Sequence, residues 1–408
     1  MIKLVLILPR FNRRNWDSLT EQAWRMARML TADGVAQCSI AAAREADEAA
    51  LEVVDNVQIH RFLPQEPRWK WVRKLRKQDS EHGNLELPGL ELFLRKNKFD
   101  LVHFMCMGKL CNKLAGIVHE RNIPYVVSCR SEDFQVFDAV RISGTDSIRA
   151  RFMRVYREFQ DALKNAARVF CSDHRLRRLL AHELGDRSLV YWQSGVEVER
   201  FSRPVSVDFR QFYQLSMSRP IVLSVGRLSD SKNQQLLLET VSVLNKRNWN
   251  CQLVVIGWCS SVDYLNKFRS LAAERNLEHC LTLIEGLPPG DERFQAAFQA
   301  ASLVLLPSRY DVSGSAVLEA WAAGVPVIAS PVGGGGDLIE DGVNGRLAAP
   351  QDFTAFVRCC EELLDERNRA LLEKMRSSGF ARCRELRWEN RLAELIKIYN
   401  DILQINNE

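Results

Sequence analysis

The eleven cysteines include no Cys-x-x-Cys pair, and the seven histidines show no spacing that would pair with them as zinc ligands. Cys106 and Cys111 are too irregular for a metal knuckle, and Cys359 and Cys360 are adjacent on an expected helix, where neighbouring side chains diverge. The thiols are therefore expected to be free, buried or half-buried, in a reducing compartment. No stretch approaches the ~18 apolar residues of a membrane span. The opening MIKLVLILPRF has a short apolar run stopped by Pro9 and Arg10, and no small-residue cleavage site follows. It reads as a buried first strand, not as a secretion signal. A net charge of only +5 gives no ground for a nucleic-acid partner, and low-complexity tracts are lacking. These absences point to a cytoplasmic protein without a structural metal.

What is present is an ordinary globular composition over 408 residues, 46% hydrophobic and 26% charged. At roughly 150 residues per domain this is two or three domains. Strand-like runs at 4–8, 57–62, 101–104, 124–128, 169–171 and 189–192 alternate with helical stretches, the first of them 18–32. A second series begins near Pro220, with strands at 221–225, 252–257, 281–285, 303–307 and 326–330. Such alternation predicts α/β architecture with parallel sheets covered by helices. A linker is expected at 202–219, and the last helix carries apolar residues at helical spacing: Leu392, Leu395, Ile396, Tyr399, Ile402 and Leu403. The expected domains are 1–204, 205–385 and a closing helix at 386–408.

Three segments carry chemistry. In VGRLSDSKN, Gly226 permits a tight turn after a strand, and Arg227 and Lys232 stand five residues apart on the loop into a helix, as an anion site requires. The next strand in sequence, 252–257, ends on Gly257, a further donor-binding candidate. In PSRYDVSGSAVLEAWAAG, Gly314, Ser315 and Ala316 open a helix whose bare N–H groups suit a diphosphate. Asp311 before that helix and Glu319 within it, in an otherwise apolar sequence, can line one pocket. In PVGGGGDLIEDG, four glycines and Asp337 read as a loop before a short helix.

These blocks, in this order, resemble glycosyltransferase family 4. The resemblance implies the GT-B fold: two Rossmann-like domains facing across a cleft, with a C-terminal helix crossing back to the N-domain. It further implies that Arg227 and Lys232 grip the donor diphosphate, that Asp311 contacts donor-sugar hydroxyls, and that Glu319 holds the nucleotide ribose. Seven residues separate Asp311 from Glu319, as in the family motif, though Asp replaces its usual first Glu; Asp337 likewise replaces Glu in the third block. In the N-terminal half FDLVHF resembles the family's Asp-x-x-His strand, and SCRSEDF places Arg130 where many members have a His near the donor sugar. The family's Gly-Gly loop after the first strand is missing; RFNRRNWDSLTEQ stands there, with Arg14 on the acceptor side.

The activity so implied is retaining, metal-independent transfer from a nucleotide-sugar, UDP expected over GDP, to a saccharide or lipid-linked saccharide. A front-face route is expected, with charge stabilisation and positioning in place of a nucleophilic carboxylate. RWKWVRKLRKQ at 68–78 has six basic residues and no acid. On a helix it would set Trp69 and Trp71 apart from Lys70, Arg73 and Lys74, which suits an anionic membrane surface. The competing readings are a GT-B nucleotide-sugar epimerase and a non-catalytic scaffold.

Overall fold

The computed structural model describes residues 1–12, 18–45, 47–65, 85–134, 148–259, 261–287, 290–309 and 314–405. The chain divides into two compact units. The first takes in Met1–Asn12, Ser18–Gln193 and the chain from Leu392 on; the second runs from Ser194 to Arg391.

The first unit is built on eight strands: β1 (Ile2–Arg10), β2 (Ala36–Ala43), β3 (Leu51–Val54), β4 (Val57–Phe62), β5 (Leu101–Phe104), β6 (Tyr125–Cys129), β7 (Arg168–Cys171) and β8 (Leu189–Tyr191). Their spatial order is β3-β4-β2-β1-β5-β6-β7-β8, parallel except for the β3–β4 hairpin. The run Leu4–Leu8 is buried throughout, as a central parallel strand must be. Two strands were not expected. β2, AQCSIAAA, is rich in alanine, which has little strand preference, and it is held by its place between β1 and β4. β3 pairs back on β4 through Asp55 and Asn56, both left-handed at φ 48° and 62°, the geometry of a tight hairpin turn.

The helix Trp388–Ile405 lays Leu392, Leu395, Tyr399 and Ile402 into buried positions, the stripe expected from the sequence. Tyr399 reaches His103 on β5: its hydroxyl lies 2.6 Å from Nδ1, while Nε2 lies 2.7 Å from the Ser128 hydroxyl on β6. His103 is 1% exposed, and burial pushes its pKa down to about 3. The folded chain thus keeps this imidazole neutral where the unfolded chain protonates it, near 6.5. A depressed histidine contributes stability that is whole above pH 6.5 and shrinks as pH falls towards 3. The loss is at most about 1.4 kcal/mol per pH unit. Urea unfolding at pH 7.5 and pH 5 should therefore show a drop of about 2 kcal/mol from this group, and His103→Gln should lack that component. Equal pH dependence in both proteins would disprove it.

The second unit has six parallel strands: β9 (Ile221–Val225), β10 (Gln252–Ile256), β11 (Leu281–Ile284), β12 (Leu303–Leu306), β13 (Val327–Ala329) and β14 (Arg346–Leu347), in the order β11-β10-β9-β12-β13-β14. Side chains alternate between its faces. Ile221, Leu223, Val254 and Ile256 join one core, and Val222, Leu253 and Val255 the other. Each such aliphatic burial contributes about 1.5–3 kcal/mol.

Two expectations need correction here. Val196, Val198 and Phe201 pack into the second unit's core, so the change of unit falls before the linker expected at 202–219. The glycine run is not a loop: Gly333–Leu338 is itself a short helix, with Asp337 exposed near its end. A Cβ on Gly336 would sit 2.8 Å from the Pro331 carbonyl carbon, so the tight entry to that helix, and not flexibility, requires glycine.

Candidate active site

In the second sheet the chain moves outward in one direction from β9 to β10 and in the other from β12 to β13. The carboxyl ends of β9 and β12 therefore flank a topological switch point, where open parallel sheets bind ligands. The predicted donor residues of this unit gather on the segments that leave β9, β10 and β12.

The first is the loop after β9. Gly226 takes φ +147° and donates its N–H to the Ile256 carbonyl at 3.0 Å. Gly257, at the end of β10, abuts it: a Cβ there would lie 1.9 Å from the Gly226 oxygen. Two bare backbones thus pass at a distance no side chain permits. Arg227 and Lys232 follow, both half-buried. Lys232 closes the short 3-10 turn Asp230–Lys232, and the helix Gln234–Lys246 starts two residues on.

Two neighbouring buried amides fix this loop. Gln234 donates Nε2 to the Arg227 carbonyl at 2.9 Å, while its Oε1 accepts from the Tyr264 hydroxyl at 2.6 Å and from the Ser229 N–H at 3.3 Å. Asn233 stands left-handed at φ 57°, ψ 39°. Its Nδ2 donates to the Pro307 carbonyl at 3.1 Å and the Pro350 carbonyl at 3.2 Å, and its Oδ1 accepts from Arg309 Nε at 3.0 Å. The Arg309 N–H donates to the Ser231 carbonyl at 2.8 Å. The loop after β9 and the loop after β12 are therefore tied across the switch point. None of Asn233, Gln234, Tyr264 or Arg309 was predicted. The available signal was Asn directly after Lys232, since asparagine tolerates the left-handed conformation.

The second is the helix Gly314–Ala322, which follows β12. Gly314 and Ser315 are half-buried at its start, and Ala316 is buried behind them. An N-terminus here directs partial positive charge to the carboxyl edge of the sheet. Glu319, one turn in, is 6% exposed among Val317, Leu318, Ala320 and Trp321, all buried. A carboxylate so enclosed is not an ordinary surface acid.

Arg130 belongs to the first unit, just past β6. Its N–H donates to Asp133 Oδ2 at 2.9 Å and its Nη2 to Asp133 Oδ1 at 3.3 Å, while the Met107 N–H also donates to Oδ2 at 3.3 Å. Asp133 thus gathers the loops after β5 and β6. Asp311, Arg14, Trp69, Lys70, Trp71, Arg73 and Lys74 lie outside the described residues. Among the described residues no group of three His, Cys, Asp or Glu side chains could hold a metal ion, and no helix is long and apolar enough to cross a membrane. All eleven cysteines are free, and every one but Cys259 is buried.

Two Rossmann-like units, one with glycine-lined strand ends, cations and a helix start at its switch point, define a tandem α/β architecture with a candidate anion site. Comparison with known proteins narrows this. Residues 207–382, within the second unit, match the family model of glycosyl transferases group 1. The chain is 25% identical over 273 residues to a D-inositol 3-phosphate glycosyltransferase of Corynebacterium glutamicum, covering 62% of this chain and 64% of that one. It thus spans less than two thirds of that relative's length. Over 99% of its length it superposes on all of a sucrose-phosphate synthase of Thermosynechococcus elongatus, with a TM-score of 0.78 and 20% identity. Over 98% it superposes on all of Anabaena HepE, solved with UDP and glucose, with a TM-score of 0.76 and 14% identity. The fold is GT-B, and the matches support a glycosyltransferase.

Proposed function

We propose that the protein is a retaining, metal-independent hexosyltransferase of glycosyltransferase family 4. It moves a sugar from a nucleotide-sugar, a UDP-sugar in preference to a GDP-sugar, to a saccharide or lipid-linked saccharide. The product belongs to surface polysaccharide, lipopolysaccharide or glycolipid synthesis, made at the inner face of the cytoplasmic membrane with the 68–78 segment on anionic lipid. In this reading the second unit, Ser194–Arg391, binds the donor and the first unit the acceptor.

The observation that carries the reading is the gathering of Gly226, Arg227, Lys232, Gly257, the Gly314–Ala316 helix start and buried Glu319 on one edge of one sheet. Arg227, Lys232 and the helix start neutralise the leaving diphosphate; Glu319 accepts hydrogen bonds from the ribose. Asp311 contacts the sugar hydroxyls, and Arg130 takes the place of the family's donor-sugar His. UDP over GDP draws support from the UDP and glucose in the HepE structure.

Thermal shift across UDP, GDP and their sugars tests it. A nucleotide at ~100-fold over its Kd should add ~2.7 kcal/mol of stability. The shift should vanish in Glu319→Ala and Arg227→Ala. A shift that survives both substitutions would remove the donor site from this edge, and the lack of any shift would favour the scaffold reading.

A further inference from the structure

The loop after β12 presents a cation that the motif reading passed over. Arg309 is half-buried, directly beyond the carboxyl end of β12. Its backbone N–H is spent on Ser231 and its Nε on Asn233 Oδ1. Most arginines of this unit that make side-chain bonds meet a carboxylate: Arg247 with Glu361, Arg275 with Glu239, Arg293 with Asp291. Among the described residues Arg309 has no such partner, and its only side-chain bond is to the neutral amide of Asn233. Asn233 is 4% exposed and itself held by two carbonyls, so the guanidinium hangs from a rigid mount. The same helix entry holds the Arg227 carbonyl through Gln234. Two successive amides therefore set two arginines, one on each side of the switch point, and both Nη groups of Arg309 remain for a ligand.

We propose that Arg309 is a third cation on the donor diphosphate, contacting it through its Nη groups, with Asn233 as the residue that positions it. The inference rests on the donor reading above. A guanidinium fixed at Nε loses little rotamer freedom on meeting a phosphate, and its remaining fork matches two phosphate oxygens. Lysine in its place would keep the charge but not the mount.

Calorimetric titration of the full chain with UDP and GDP, and with uridine and guanosine, separates the cases. Arg309→Met should weaken the diphosphate that the parent binds by ~10- to 100-fold, the scale of a charged hydrogen bond, while the matching nucleoside binds as before. Arg309→Lys should fall between parent and Arg309→Met. Asn233→Gly, which keeps the left-handed backbone, should give part of the same loss and the same contrast. If Arg309→Met binds diphosphate like the parent, the proposal is wrong while the donor site stands. Equal weakening of nucleoside and diphosphate would make Arg309 merely structural and overturn it too. A parent that binds neither diphosphate would bring down the donor reading and this proposal with it.

Discussion

Gly257→Ala is expected to be the most damaging single methyl group that can be added to the second unit. The new Cβ would lie 1.9 Å from the Gly226 oxygen, 2.7 Å from its carbonyl carbon and 3.2 Å from Leu228 Cδ1. Neither backbone can retreat cheaply. Gly226 is hydrogen-bonded to Ile256 and Gly257 to Ile284, each at 3.0 Å, so relief means parting β9, β10 and β11 at their carboxyl ends. We expect a loss of about 4 kcal/mol, at the exceptional end for a point substitution. For a unit of this size that is a fall of roughly 10 °C in Tm. Gly226→Ala meets open space and suffers only from its φ of +147°, so it should cost less. A Gly257→Ala protein that melts within 2 °C of the parent would show that the two strand ends are not in contact.

Arg227→Ala is expected to have the largest effect on turnover without loss of the fold. Its backbone is held by Gln234 through the carbonyl, so removing the side chain leaves the loop tied. In the proposed reaction negative charge builds on the departing diphosphate as the glycosidic bond breaks. A cation there binds the transition state more tightly than the ground state, and its removal should lower kcat more than it raises KM. The loss of a preorganised group of this kind is on the order of 100- to 1,000-fold. Arg227→Lys should recover part of it. Steady-state kinetics with the nucleotide-sugar that gives the thermal shift provide the measurement. An unchanged kcat with KM alone raised would assign Arg227 to ground-state binding and not to departure of the leaving group.

Much of the second unit was legible because its strands are β-branched, apolar and bounded by turn residues: IVLSV, QLVVI and LVLL are buried runs that no amphipathic helix would contain. The site motifs were legible for a related reason. Gly226, Gly314 and Glu319 stand out locally, glycine at a strand end and a carboxylate in an apolar helix, before any neighbour is known. β2 was not legible. Its alanines pack well only because β1 and β4 lie on either side, and nothing within AQCSIAAA announces them. The four glycines misled in the other direction. A run of glycine ordinarily signals a flexible loop, yet here it is a helix entry pressed against Pro331.

Taken alone, the chain of residues determined the α/β class, the two series of strands, and the positions of the diphosphate and ribose candidates, since each depends on residues close in sequence. Only the tertiary structure decided that β9 lies beside β12, so that Leu303 pairs with Val222, 81 positions earlier. That adjacency brings Arg309 to Asn233, while the pairing of β9 with β10 sets Gly257 against Gly226. The order of strands in a parallel sheet is set by how whole helices cover its two faces, a global packing balance that no local pattern encodes.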